Sequence, residues 1–148
     1  MLEGMPHFDH ASCTLPQTWP PADQSVLVLA MRRPRGWWLK AVRDAGGRWM
    51  KEAGPSDGLL DAYRRQVITW EEFGERYRAE MLIERPHVLS ELVGLATAHP
   101  CKHLTVLCWE RLDAAHPHCH RTLLVEMLND FVSTPDESDI SEFNTTSN

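Results

Sequence analysis

Two short apolar runs, Val26-Leu27-Val28-Leu29-Ala30 and Leu104-Thr105-Val106-Leu107-Cys108, constrain this chain more than any other feature. Each is continuous rather than alternating, as a strand covered on both faces requires, and strands of that kind belong to parallel sheets. Parallel strands need crossover connections, so the intervening chain must supply helices. It does so in recognisable form. Thr69 followed by Glu72 spells a capping box, and Trp70, Phe73, Tyr77 and Met81 recur at helical spacing, with Glu72 and Arg76 placed to pair on the outer side. Pro86 and His99-Pro100 bracket another helix, with Val88, Leu89, Leu92, Val93 and Ala96 on one face. A further helix runs from about Cys119, its buried stripe made by Leu123, Leu124, Met127, Leu128 and Phe131. Strands separated by helices predict an α/β layer fold with a small, mostly parallel sheet flanked by helices. At 148 residues the chain is long enough for one such domain and too short for two.

The ends read differently. Residues 1–24 hold four prolines, no basic residue and little periodicity, which predicts an irregular arm. From Ser133 to Asn148 only Ile140 and Phe143 are apolar, too little burial to offset the entropy of ordering, so a disordered acidic tail is expected. The domain is thus placed at residues 25–132. No run approaches the ~18 apolar residues of a membrane span, and the first residues carry neither a basic n-region nor an apolar h-region. A cytoplasmic protein without a membrane partner is expected. There Cys13, Cys101, Cys108 and Cys119, which include no CxxC, are expected to be free, metal-bound or catalytic. The net charge of -6 comes from the ends: residues 1–24 and 133–148 together carry -7, and residues 25–132 carry +1. An anionic ligand for the domain is therefore not opposed by the overall charge.

The most informative stretch runs from the second strand into the start of the last helix. In open α/β sheets ligands bind beyond the carboxyl ends of the strands, where Cys108 and Glu110 fall. Cys119, His120 and Arg121 come at the start of the last helix, where unpaired N–H groups and the helix dipole favour an anion and lower a thiol pKa. Cys119 is a candidate nucleophile on that ground, with Cys108 as a second thiol. Arg121 is a candidate phosphate or carboxylate clamp, and Glu110 and His120 are candidate acid/base groups. Plainer roles stand beside these. Cys108 reads equally as a small core residue, His120 as a satisfied core histidine, Arg121 as an ion-pair residue and Glu110 as a loop charge. Cys108, His116, His118 and Cys119 form an alternative set of metal ligands, zinc being the metal that thiolate and imidazole suit, although their spacing matches no closed zinc pattern.

After the first strand comes a basic segment. Residues 32–51 contain seven basic residues against Asp44 alone, a local charge of +6, interleaved with Trp37, Trp38 and Trp49. Exposed aromatics among basic residues can stack bases and follow a phosphate backbone. Packed tryptophans under arginines are the alternative.

Several of these residues also resemble a known family. Gly36-Trp37-Trp38, the block Trp49-Met50-Lys51-Glu52-Ala53-Gly54-Pro55-Ser56, and Trp70-Glu71-Glu72-Phe73 through Arg78 resemble the YeaO-like family of domain of unknown function 488. Cys108-x-Glu110 and Cys119-His120-Arg121 resemble a motif of its wider members, and the resemblance covers about residues 25–130. It implies a small domain of Rossmann-like, three-layer appearance whose activity is not established. The positions it carries over are Arg35, Lys51, Ser56, Cys108, Glu110, Cys119, His120 and Arg121. The chain departs from the family's Arg-x-Trp-Pro-Arg-Gly element, reading Met31-Arg32-Arg33-Pro34-Arg35-Gly36 instead. Together these features predict a crevice for a phosphate-bearing ligand, a nucleotide or a nucleic acid, with anion contacts from Arg121, Arg35, Lys51 and Ser56 and thiol assistance from Cys119 or Cys108. A noncatalytic binding module or a Cys/His metal protein is the alternative.

Overall fold

The computed structural model describes residues 5–108 and 118–133. Among the described residues four strands form one sheet in the order β1-β4-β2-β3: β1 His7–Ser12, β2 Val26–Leu29, β3 Arg48–Trp49 and β4 His103–Cys108. Every pairing is parallel, with Val26 opposite Leu104 and Leu29 opposite Leu107 at the centre. The two apolar runs are thus the two interior strands. Val28, Leu104 and Val106 pack on one face with residues such as Leu59, Phe73, Tyr77, Leu92 and Leu124, while Leu27, Leu29 and Leu107 pack on the other with Trp38 and Val42.

Five helices among the described residues cover the sheet: α1 Gly36–Asp44, α2 Asp57–Arg64, α3 Trp70–Ala79, α4 Pro86–Ala98 and α5 His120–Ser133. α1 alone supplies the helical side of the core around Leu27 and Leu29, and α2 to α5 supply the other, giving three layers. The turn from α1 into β3 depends on two glycines. Gly46 has φ +85, a left-handed conformation that costs glycine little, and a Cβ on Gly47 would lie 2.7 Å from Val42 and 2.8 Å from Leu27.

The capping box forms as spelled, with Thr69 Oγ1 accepting from the Glu72 amide and the Glu72 carboxylate accepting from the Thr69 amide. Glu72 therefore turns back on the helix start, and no ion pair joins it to Arg76. After Ala79 the helix widens into a π-turn, Glu80–Glu84, before Pro86 opens α4. The Glu80 carboxylate there accepts from the Ser56 amide and hydroxyl and pairs with Arg85 at 3.0 Å, which ties the start of α2 to the α3–α4 junction. Phe131 departs from its expected stripe and is 40% exposed.

The irregular arm expected over residues 1–24 is corrected by β1, which lies along β4 from His7 opposite His103 to Ser12 opposite Cys108. Its signal was hidden because an edge strand can be polar: only Phe8 and Ser12 are buried, while His7, Asp9 and His10 are exposed. The end assigned to the tail enters α5 at Ser133, and residues 134–148 lie outside the described residues.

Candidate functional site at the carboxyl end of the sheet

β2 and β4 are neighbours, yet the helices that come after them cover opposite faces, α1 after β2 and α5 after β4. Helices that follow neighbouring strands onto opposite faces place a crevice at the carboxyl ends of those strands. A cavity of about 620 Å³ lies there, within the range of small-ligand sites. The segment after β2 provides one wall, Met31, Arg32, Arg33 and Arg35, with Trp38 from α1. α2 provides another through Asp57, Gly58, Leu60, Asp61 and Arg64, and Cys108 and His120 complete the lining.

Cys108 Sγ lies 3.8 Å from His120 Nδ1. His120 Nε2 is 2.6 Å from the Ala30 carbonyl, which can only accept, so the ring donates there and Nδ1 turns its lone pair toward the thiol. The ring makes a T-shaped contact with Tyr77, whose hydroxyl donates to the Ala53 carbonyl at 2.5 Å. Strand end, helix start and a carbonyl at the end of β2 thus fix the imidazole jointly. Cys119, one residue before α5, is 1% exposed and hydrogen-bonded to Cys108. Cys108, Cys119 and His120 offer two sulfurs and a ring nitrogen within 4.8 Å of one another, a group that could hold a metal ion.

The arginines are held in different ways. Arg32 Nε donates to the Pro55 carbonyl at 2.9 Å, joining the loop after β2 to the start of α2. Arg33 pairs with Asp57 at 3.1 Å in an exposed contact that solvent screens. Arg35 lies 5.7 Å over the Trp38 ring. Among the described residues no carboxylate pairs with Arg35 or Arg64.

Several expected roles are corrected by this geometry. The Cys119 thiol is not lowered by the helix start: its hydrogen bond with Cys108 and its burial push it up instead. Arg121 is 4% exposed and does not line the cavity, donating from Nε to His10 Nδ1 at 3.2 Å and from Nη1 to Cys119 Sγ at 3.6 Å. Ser56 is the N-cap of α2, its hydroxyl accepting from the Leu59 amide and donating to Glu80, so it is spent on structure. Lys51 is exposed on a 3-10 turn and is absent from the cavity wall. Arg35 is the one expected anion ligand that lines it. The metal set changes likewise, because His118 is exposed and stacks on Trp70 with ring centroids 4.5 Å apart, and His120 takes its place beside the two thiols. Glu110 and His116 lie outside the described residues. Of the three tryptophans in the basic segment, Trp38 is buried and Trp49 donates its Nε1–H to the Met31 carbonyl, leaving Trp37 exposed at 57%.

Arg64, Asp57 and Asp61 went unrecognised in the sequence. Their signal was present, since positions 57, 61 and 64 share one face of a helix. A second polar chain, Ser25–His103–Asp9, resembles a hydrolytic triad in composition, with His103 at 2.7 Å from Ser25 Oγ and 2.8 Å from Asp9 Oδ2. Ser25 is 1% exposed and shares its hydroxyl with Thr105, so this chain clips the amino ends of the strands together.

Fold and site together define a three-layer parallel α/β domain with a cysteine–histidine cluster in a basic crevice at the carboxyl end of its sheet. A family model described as the active DUF488-N3 subclade, DUF488-N3a, matches residues 13–131, and the chain belongs to that family of domain of unknown function 488. No curated protein and no solved structure matches the chain. Among the described residues, no helix is long and apolar enough to cross a membrane.

Proposed function

We propose that the cavity binds a phosphate-bearing ligand of nucleotide size and that Cys108 acts on it as a nucleophilic thiol, with His120 as its base. One observation carries the reading: Cys108 and His120 meet at a cavity walled by Arg32, Arg33, Arg35 and Arg64. A nucleophile touching a base that is itself oriented by a third group is the general arrangement of thiol catalysis. Here the third group is the Ala30 carbonyl, which would also stabilise the imidazolium formed when Nδ1 takes the thiol proton. Guanidinium forks match phosphate oxygens, and Asp57 and Asp61 offer acceptors for sugar hydroxyls. A long single strand is less favoured, since Trp37 is the sole exposed ring of the basic segment. Free thiols at such a site suit a reducing, cytoplasmic compartment.

The test is alkylation of the reduced protein by iodoacetamide, with Cys108 monitored by peptide mapping. Inorganic phosphate and adenosine monophosphate should each slow its modification, and Arg35→Ala or Arg64→Ala should remove the protection. An unchanged rate with both probes would overturn the binding reading, and an equal rate in His120→Gln would overturn the role of the base.

A second reading is favoured by the Cys108–Cys119–His120 group itself. Donation of His120 Nε2–H to a backbone carbonyl is the outer contact that commonly orients a metal-ligating imidazole, and two thiolates with an imidazole suit zinc. Elemental analysis of protein purified without an affinity tag decides it: near-stoichiometric zinc, lost in Cys119→Ser, supports the reading, and sub-stoichiometric metal removes it.

A further inference from the structure

We propose that Cys119 is the resolving thiol of Cys108, so that a hydroperoxide entering the cavity converts the pair reversibly into a disulfide at its floor. The inference rests on the reading of Cys108 as a free thiol facing the cavity, and adds a modification site to it.

The two thiols differ in placement. Both are 1% exposed, but Cys108 lines the cavity and Cys119 does not, so among the described residues Cys108 is the thiol that a solute in the cavity meets first. Their sulfurs also lie within 4.8 Å of each other and of a ring nitrogen of His120. The neighbours complement the two steps. His120 Nδ1 faces Cys108, the sulfur that must attack first, and Arg121 donates an N–H at 3.6 Å to Cys119, the sulfur that attacks in the second step. Cys13 lies in the same core cluster but does not line this cavity, and Cys101 is exposed elsewhere, bonded to the Asp23 carbonyl.

The chemistry balances with the peroxide as oxidant. The Cys108 sulfur attacks the terminal peroxide oxygen and the O–O bond breaks. The released alkoxide or hydroxide leaves with the thiol proton, and a sulfenic acid remains on Cys108. The Cys119 sulfur then attacks the Cys108 sulfur, the S–O bond breaks, and the hydroxyl departs as water with the Cys119 proton. Two electrons pass from the thiol pair to the peroxide, and a dithiol reductant returns them by exchange.

Full-length reduced protein is treated with hydrogen peroxide, its remaining thiols are blocked, and intact mass and peptide links are measured. The expected result is the loss of two hydrogens, a peptide joining Cys108 to Cys119, loss of Cys108 alkylation, and full recovery with dithiothreitol. Cys119→Ser should give no link and should accumulate dimedone-reactive sulfenic acid at Cys108, while Cys13→Ser should still form the link. Exposure alone would select Cys101 instead. Oxidation confined to Cys101, a link through Cys13, or progression of Cys108 to sulfinic acid without a link to Cys119 overturns the proposal. Protection by phosphate is read on the reduced protein, so failure there with the link present overturns the ligand reading alone.

Discussion

The imidazole of His120 is engaged at both nitrogens, one by the Ala30 carbonyl and the other by the Cys108 sulfur, and it stands T-shaped against Tyr77. Position at a helix start does not account for the site by itself. The helix start would have made Cys119 the acidic thiol, and burial beside Cys108 does the reverse. Two substitutions separate structure from chemistry at this scale. Tyr77→Phe leaves the buried Ala53 carbonyl without its donor and should cost about 1–3 kcal/mol in denaturant unfolding. Ser56→Ala removes the cap of α2 and a partner of Glu80 and should cost about 1–2 kcal/mol. Phosphate protection of Cys108 should survive Ser56→Ala, because the hydroxyl is already committed to those two contacts; loss of protection in a folded Ser56→Ala protein would return Ser56 to the ligand site.

Elements were legible where a local pattern carries its own partners. The capping box of α3 needs only Thr69 and Glu72, and it forms as the spacing predicts. Thr69→Ala should therefore destabilise the protein by about 1 kcal/mol, visible as a lower unfolding midpoint. β1 was hidden because its stability comes from main-chain pairing to β4, a strand far away in sequence, and its outward side chains carry no apolar period. The close approach at Gly47 was hidden for the same reason, since Val42 and Leu27 converge there only after α1 folds back on β2. Gly47→Ala should cost about 1–3 kcal/mol through overpacking, measured by thermal unfolding. A neutral effect would show that the turn relaxes at little cost.

Across the whole molecule, burial of Tyr77 in the core shared by α2 to α5 sets an alkaline limit on stability. Burial, with the nearby Cys108 thiol, pushes the Tyr77 phenol well above its ordinary value, so the folded chain keeps a proton that the unfolded chain releases near pH ~10. Unfolding then releases a proton: the stabilisation is complete below pH ~10 and is lost as pH rises beyond it. Thermal unfolding across that range should show the loss, with a shallower slope in Tyr77→Phe; equal slopes would discount the effect. The charge balance also belongs to this scale, because the acidic ends account for the net -6 while Arg32, Arg33, Arg35 and Arg64 gather at one crevice. By itself the sequence determined the two central parallel strands, the capped and amphipathic helices and the end of the sheet where a site belongs, because these are set by periodicity and by the rule that parallel strands open their crevice at the carboxyl end. Tertiary structure alone decided which residues meet there. Whether Arg121 faces a ligand or Cys119, whether Ser56 binds an anion or caps a helix, and whether Arg64 joins Arg35 depend on contacts between residues far apart in the chain, which no local spacing encodes.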